Sequence, residues 1–295
     1  MSKSQKKRIL TLIVIFIIGV ISLIVEKADR SDVSTTNDNQ DNSQYGYVHY
    51  IDVGQGDCTL IETYDGKFGL IDASTQNACF KILSYLKDEG VEELEFVLFT
   101  HPHEDHIGCG DEVVDSFKVK TVYMTDKTEN TAAYRRLINS ISKSKEDFGT
   151  QVIMPLEGDI FHLGDIEFTV LSDGRAYEDL NDSSICLKME LGKSTFIFTG
   201  DAGKQVEDRI LKCGVNISAE VLKLGHHGSS TSNSDSFLDA VNPDIAVTSC
   251  ALDNDYGHPH REIISAMIER NVVHKRTDLD GDIILAFDED SISIL

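Results

Sequence analysis

The sequence of 295 residues has no tryptophan, only four prolines and six cysteines. The cysteines form no Cys-x-x-Cys pair and no close cluster, which argues against zinc-finger and dithiol redox chemistry. We expect the cysteines to be scattered small residues of the core, and one or two disulfides remain possible if the domain is exported. Basic residues are also scarce, since 27 Lys and Arg stand against 50 Asp and Glu, a formal net charge of −23. Such acidity repels polyphosphates at long range and disfavours broad nucleic-acid binding, although a local cationic groove stays open.

Long apolar runs are also scarce, and the clearest one lies near the N-terminus. Residues 1–8 are rich in lysine and arginine, residues 9–25 are apolar, and residues 26–44 are polar. The apolar run is near the lower limit for a bilayer-spanning helix, and its basic flank predicts a cytoplasmic N-terminus. We predict a single-pass signal-anchor in the cell membrane, then a flexible linker, with the C-terminal domain extracellular. A cleaved signal peptide, which would leave a secreted protein, is the alternative.

A folded domain is expected over residues 45–295. The whole sequence has 41% hydrophobic residues, which is typical of a globular protein. Short alternating or apolar runs predict strands at 47–53, 58–62 and 68–72, and apolar residues at helical spacing predict a helix over 77–87. Strand and helix patterns continue to alternate downstream, so the domain is predicted to be α/β, with helices layered on a sheet.

The most specific pattern is a histidine cluster that directly follows a strand. The apolar, β-prone run 95–100 ends in His-Pro-His-Glu-Asp-His at 101–106. Neutral imidazole and carboxylate groups suit Zn²⁺, Mn²⁺ or Fe²⁺, and a buried strand would deliver them to a rigid edge. We predict that His101 and His103 bind one ion and that Asp105 and His106 serve a second.

This His-x-His-x-Asp-His pattern resembles that of the metallo-β-lactamase-fold hydrolase superfamily. Asp-Val-Gly-Gln-Gly-Asp at 52–57 is similar to the opening signature of one branch, the soluble domain of ComEC-type competence proteins. The resemblance covers roughly 45–295 and implies an αββα sandwich with one or two divalent metal ions, preferably Zn or Mn, at one edge. The glycines of the signature would allow close backbone approach to that edge. Asp72 matches the superfamily's first motif aspartate, which orients the histidine loop rather than binding metal.

Two later strands end in further candidate ligands. Residues 194–199 lead into Asp201, which the resemblance identifies as a carboxylate that bridges the ions. Residues 220–224 lead into His226 and His227. One of this pair is expected to be a ligand and the other an acid/base group, and the sequence does not distinguish them.

The sequence departs from the superfamily pattern between the histidine cluster and Asp201. Many members carry a further histidine ligand there, but this interval contains only His162, in a hairpin context that predicts a structural or surface role. Instead, Asn181 begins an Asn-x-x-Ser pattern similar to that of the competence branch. An oxygen of Asn181 or Asp182, or a water, is expected to complete an under-liganded ion.

The remaining candidates concern the substrate. Lys223 and the backbone N–H groups near Ser229 are candidates to receive an anionic substrate oxygen, although a solvated strand end is equally consistent with Lys223. His258 is a candidate proton donor to a leaving group. Asp105 is expected to orient the attacking water, with His227 or His226 assisting.

Hydrolysis of a phosphodiester, with DNA as one candidate substrate, is the predicted reaction. An exported esterase of phosphorylated wall polymers, of the phosphorylcholine type, is the first alternative. A non-catalytic component of a DNA-uptake machine is the second. Nothing in the sequence predicts a protein partner.

Overall fold

The computed structural model describes residues 44–295, so the predicted segments 1–8 and 9–25, and all but the last residue of 26–44, lie outside the described residues. Within 44–295, no helix is both long enough and apolar enough to cross a bilayer. The predicted anchor and linker therefore stay predictions.

Residues 44–295 form fifteen strands. In chain order they are β1 (Gly46–Tyr50), β2 (Thr59–Glu62), β3 (Phe68–Ile71), β4 (Glu93–Phe99), β5 (Lys118–Met124), β6 (Gln151–Ile153), β7 (Ile160–Leu163), β8 (Ile166–Ser172), β9 (Cys186–Leu191), β10 (Ser194–Phe198), β11 (Val221–Lys223), β12 (Ile245–Thr248), β13 (Val273–Arg276), β14 (Ile283–Phe287) and β15 (Ile292–Ile294).

The α-helices lie between these strands. They are α1 (Cys79–Asp88), α2 (Glu104–Ile107), α3 (Gly110–Ser116), α4 (Ala132–Phe148), α5 (Lys204–Lys212), α6 (Asp235–Val241), α7 (Arg261–Glu269) and α8 (Thr277–Asp280). Short 3₁₀ helices occur at Gln76–Ala78 and Gly225–Gly228. A left-handed glycine at position 149 ends α4, and the Thr131 hydroxyl accepts a hydrogen bond from the Tyr134 N–H at its start.

The strands form two sheets of similar design. The first has the order β15-β14-β1-β2-β3-β4-β5-β6 and the second β13-β12-β11-β10-β9-β8-β7. Each sheet is antiparallel at one end and parallel at the other, with parallel pairs from β3 to β6 and from β10 to β13. The carboxyl ends of parallel strands lie at the same edge of a sheet, which is where α/β proteins place their sites.

Three apolar layers confirm the αββα sandwich. The middle layer packs the two sheets together, for example through Phe96 of β4, whose ring lies 5.3 Å from that of Phe161 on β7 and 5.4 Å from that of Phe168 on β8. Val97 and Phe99, on the other face of β4, pack in the layer beneath α1, α3 and α4. The third layer joins the second sheet to α5, α6 and α7. Burial on both faces explains why the sequence of β4 is a nearly continuous apolar run.

The cysteines have different environments. Cys79, at the start of α1, and Cys109, just before α3, form a disulfide. Cys58, Cys186 and Cys250 are buried free thiols. These three confirm the expected core role, whereas Cys213 is exposed because it lies just past the C-terminal end of α5.

Candidate metal centre

The histidine loop follows β4 directly and is fixed by the neighbouring backbone. The Asp57 N–H donates to the Asp105 carbonyl at 3.0 Å, and the Ala73 N–H donates to the His106 carbonyl at 2.7 Å. Gly56, in the Asp-Val-Gly-Gln-Gly-Asp run, allows this approach: it has φ +134°, and an added Cβ would meet the Asp105 carbonyl oxygen at 2.5 Å. The predicted close approach of this run to the site is therefore confirmed.

Asp72 orients His106. Its Oδ2 lies 2.7 Å from His106 Nδ1, and it also accepts hydrogen bonds from the Thr100 N–H and hydroxyl, each at 2.8 Å. A carboxylate only accepts, so His106 carries its proton on Nδ1, and the lone pair of Nε2 faces the site. Asp72 has φ +59°, a strained conformation for an aspartate, which aims its carboxylate at the loop.

Asp201, which follows β10, lies at the centre of the site. It is 2% exposed, and its Oδ1 is 3.3 Å from His106 Nε2. Its Oδ2 is 3.9 Å from His101 Nε2 and 3.7 Å from the Nε2 atoms of both His226 and His227. The two carboxylate oxygens thus face different histidines, as a carboxylate shared between two ions would.

His227 has the geometry of an oriented ligand. Its Nδ1 lies 2.9 Å from the Ser249 carbonyl, to which it donates, so Nε2 faces Asp105 Oδ2 at 3.2 Å and Asp201. His226 and His227 have φ of 49° and 53°, respectively, which is rare for non-glycine residues and turns both rings into the site. His226 Nδ1 lies 3.1 Å from the Thr231 hydroxyl.

The residues present fit a metal ion. Atoms of Asp105, His106, Asp201 and His227 all lie within 4.8 Å of one another. Within 44–295, neither His106 Nε2 nor Asp201 Oδ1 has a hydrogen-bond partner, although both are buried. Buried polar atoms without partners are rare in folded proteins, and a cation would satisfy both. When bound, a divalent cation supplies Lewis-acid activation of water and of a substrate oxygen.

His101 and His103 lie beside this cluster as further candidate ligands. His101 Nε2 is 3.0 Å from His103 Nδ1 and faces Asp201 Oδ2. The Ser184 hydroxyl, 3.3 Å from His101 Nδ1, also accepts the Asp201 N–H at 3.0 Å. Ser184 is the serine of the Asn-x-x-Ser pattern, and it joins the histidine loop to Asp201.

The charges around the site shift its pKa values. Burial disfavours the imidazolium form of His227, but the carboxylates of Asp201 and then Asp57 outweigh burial and raise its pKa to about 10. Burial would raise the pKa of Asp201, yet His106 and His227 hold it well below its usual range. The carboxylates around His227 therefore favour a positive charge at this position. A bound cation would replace the His227 proton.

The metal centre lies in an open cleft. One cavity of about 330 Å³ is lined by Gln55, His103, Glu104, Asp105, Asn181, Asp201, His226, His227, Tyr256 and His258. A second, of about 360 Å³, shares Asn181, Asp201 and His226 with it and extends past Asp182 and Lys204. Asn181 Oδ1 is buried without a hydrogen-bond partner among the described residues, as expected of a group that awaits a ligand. The sequence analysis missed Gln55, Glu104 and Tyr256, although Gln55 lies within the glycine-rich signature.

Two predicted substrate contacts are contradicted. Lys223 is 3% exposed, and its ammonium is 2.8 Å from the Asp57 carboxylate, so neither substrate binding nor a solvated strand end is correct. Burial alone would raise the pKa of Asp57, but Lys223 and then His227 hold it well below its usual range. The backbone N–H of Ser229 donates to the His226 carbonyl at 2.8 Å and is not available to an anion.

Other predicted residues have clear positions. Asp182 is occupied by the Gly203 N–H, at 2.8 Å, and by the Gln205 side chain, which positions the start of α5 instead of completing a metal site. His162 has a 55% exposed side chain on β7, which confirms the predicted surface role. His258 lines the cleft beside His226, with ring centroids 5.4 Å apart, and burial followed by the neighbouring histidines lowers its pKa to about 4.

Comparison with known proteins gives consistent results. Residues 51–251 match the model of the metallo-beta-lactamase superfamily. The chain is 28% identical to ComE operon protein 3 of Bacillus subtilis (strain 168) and 27% identical to Recombination protein 2 of Haemophilus influenzae, covering 82% and 84% of this chain. It spans only 33% and 29% of those relatives.

A solved structure shows the same fold. The metallo-beta-lactamase fold protein YhfI from Bacillus subtilis matches with a TM-score of 0.56 and 13% identity, covering 82% of this chain and all of that protein. The family model matches well over half of the chain, and the candidate ligands at the strand ends lie at the expected edge of the sandwich. The chain therefore belongs to the metallo-beta-lactamase superfamily and is related to competence-type proteins.

Proposed function

We propose that this protein is a metal-dependent phosphodiesterase whose substrate is DNA or a smaller phosphodiester. The observation that carries the proposal is the cluster of ligand atoms around Asp201 at the floor of an open cleft, in a superfamily of generally metal-dependent hydrolases. Two relatives are named for recombination and competence, which agrees with DNA as the substrate.

The proposed ligands form two groups that share Asp201. His106, His227 and Asp105 would hold one Zn or Mn ion, and His101 and His103 would hold a second. Asp105 is also placed to orient the attacking water, since its carboxylate is partly exposed to the cleft and 3.2 Å from His227 Nε2. His226 and Asn181 would then contact the substrate or complete the coordination of the second ion.

The shape of the cleft favours an extended substrate. Its two cavities meet at Asn181, Asp201 and His226, so a linear molecule could pass over the metal centre and contact the protein on both sides. Tyr256, 66% exposed at one side, offers a ring for stacking. Lys204, exposed at the other side, offers a local positive charge in an acidic protein.

His258 fits a neutral hydrogen-bonding role. A pKa of about 4 leaves its imidazole uncharged at neutral pH, and its Nδ1 is buried with no hydrogen-bond partner within 44–295. We propose that the ring donates an N–H to the substrate or leaving-group oxygen instead of acting as an imidazolium.

The site of action is proposed to be outside the cell, with the predicted helix over 9–25 as the anchor. Protease accessibility in intact cells tests this directly. Digestion of the C-terminal domain in intact cells is expected, whereas protection until the membrane is permeabilised would contradict it.

A substrate panel tests the reaction. Single-stranded DNA, bis-p-nitrophenyl phosphate and phosphorylcholine esters are compared on full-length protein in detergent, before and after chelation. We expect chelator-sensitive cleavage of the first two, which His103→Ala abolishes and His162→Ala leaves intact. Cleavage of phosphorylcholine esters alone would instead support a wall-polymer esterase, because a surface of net charge −23 repels DNA more than it repels the zwitterionic phosphorylcholine group. Unchanged metal content and turnover in His103→Ala would contradict the assigned centre.

A further inference from the structure

A second cluster of ligand-type side chains lies between the first sheet and α1. His49 on β1, Glu62 at the end of β2 and Glu89 immediately after α1 each place one atom within 4.8 Å of the others. The cluster shares no residue with the metal centre around Asp201. It combines one imidazole and two carboxylates, which are ligands for borderline divalent cations.

His49 is the buried member of the cluster. It is 3% exposed, and its Nδ1 lies 2.8 Å from the Tyr85 hydroxyl on α1. Its Nε2 is also buried but has no hydrogen-bond partner among residues 44–295. Such an atom costs free energy unless something binds it.

The distance to Glu62 fits a shared ion. Glu62 Oε2 is 3.8 Å from His49 Nε2, which is too long for a hydrogen bond. An ion bound to both atoms at about 2.1 Å would give a separation of this size. If Tyr85 accepts the Nδ1 proton, the lone pair of Nε2 points toward the two carboxylates, and the tyrosine then orients His49 as an outer partner orients a ligating histidine.

Glu89 is in an unfavourable position without a cation. It caps the C-terminal end of α1, where the helix dipole disfavours a carboxylate. It also lies within 4.8 Å of Glu62 through their oxygens, in a protein of net charge −23. A divalent cation would bind His49 Nε2 and offset the repulsion between the two carboxylates. It would also interact favourably with the negative end of the helix dipole.

We infer that His49, Glu62 and Glu89 form a second divalent-cation site, of the Zn²⁺ or Mn²⁺ class, separate from the proposed hydrolytic centre. The bound ion joins the end of α1 to β1 and β2. Its role is to stabilise this corner of the first sheet, because its ligands do not line the cleft.

Metal analysis of full-length protein in detergent tests the inference. The central site is removed by His106→Ala and Asp201→Ala, and the protein is dialysed against Zn²⁺ or Mn²⁺ in separate arms. We expect one equivalent of metal per chain to remain, and to be lost when Glu62→Gln and Glu89→Gln are added. Glu167→Gln is the matched control, since Glu167 pairs with exposed His162 at 3.6 Å. Absence of the remaining equivalent, or its retention after the two glutamine substitutions, would overturn the inference.

A second measurement covers the case in which the central-site variant does not fold. Glu62→Gln and Glu89→Gln are placed in the otherwise wild-type chain, and metal content and hydrolysis are measured together. The site predicts a loss of one equivalent with unchanged turnover. An unchanged number of metal equivalents would overturn the inference.

Discussion

Replacement of Asp72 by asparagine is the sharpest test of how the metal centre is assembled. Asp72 accepts three hydrogen bonds, two from Thr100 and one from His106 Nδ1. Asparagine has one acceptor oxygen and one NH₂ donor in the same space. If the NH₂ faces the Thr100 N–H, two donors oppose each other. If it faces His106, the imidazole must move its proton to Nε2, and it then offers no lone pair to a metal.

The expected cost follows from this change of tautomer. Loss of an outer partner of a metal ligand weakens metal binding by about 10-fold to 100-fold, which corresponds to about 1.4–2.7 kcal/mol. We expect Asp72→Asn to weaken binding at the His106 position by this amount, and hydrolysis at limiting metal to fall in parallel. Competition with a chromophoric chelator measures the affinity, and ¹⁵N chemical shifts of His106 report the tautomer.

Asp278→Asn is the matched control. Its side chain is 2% exposed, like that of Asp72, but it pairs with Arg276 and lies outside the metal centre. It should lower stability without changing metal affinity. Wild-type affinity in Asp72→Asn, or an equal loss in Asp278→Asn, would refute the proposed orienting role.

Three further predictions concern stability, each measured by urea unfolding. Lys223→Met is expected to cost about 3–5 kcal/mol, because it leaves the Asp57 carboxylate buried and unpaired. Burial holds the pKa of His274 at about 4, below 6.5, so the folded state binds fewer protons than the unfolded state across this window. Stability should therefore rise from pH 5 to pH 7 by at most about 2 kcal/mol on this account, and His274→Gln should remove that rise. Removal of the Cys79–Cys109 disulfide, with a sequence separation of 30, should cost about 3–4 kcal/mol.

Each of these has a control within the chain. Lys188→Met should cost less than Lys223→Met, since its partner Glu190 keeps a 35% exposed side chain. His162→Gln should leave the pH dependence intact, because His162 is exposed. Cys58→Ser tests the effect of altering a buried thiol alone. Equal effects in variant and control would contradict the corresponding argument.

The strand ends near the site could be predicted because an apolar run gives way there, within a few residues, to histidine or aspartate. His101 and Asp201 lie two and three residues after the ends of β4 and β10, whose apolar runs are largely buried, so the pattern marks the edge of the sheet. The helix predicted over 77–87 overlaps α1 (Cys79–Asp88) for a similar reason: its apolar positions keep helical spacing. Local patterns of this kind predict secondary structure without knowledge of tertiary contacts.

The errors arise where a distant partner decides the environment. Lys223 is paired in the interior with Asp57, from the loop between β1 and β2 of the other sheet, and no local pattern shows that pairing. Strand β13 was not predicted, since Val273-His274-Lys275-Arg276 is largely basic, but an edge strand tolerates such residues. The left-handed backbone at His226 and His227 was not predicted either, because it accompanies tertiary contacts such as the hydrogen bond from the His226 N–H to the Gly200 carbonyl at 3.0 Å.

The two-sheet origin of the ligands links cation binding to the integrity of the whole domain. His101 and His106 belong to the first sheet's edge, and Asp201 and His227 to the second's, so neither half holds a complete set. At a free cation concentration a thousand times the dissociation constant, binding would add about 4 kcal/mol to the free energy needed to separate the two sheets. A shortage of metal would then have two effects: loss of the hydrolytic activity and a lower stability of the interface between the sheets.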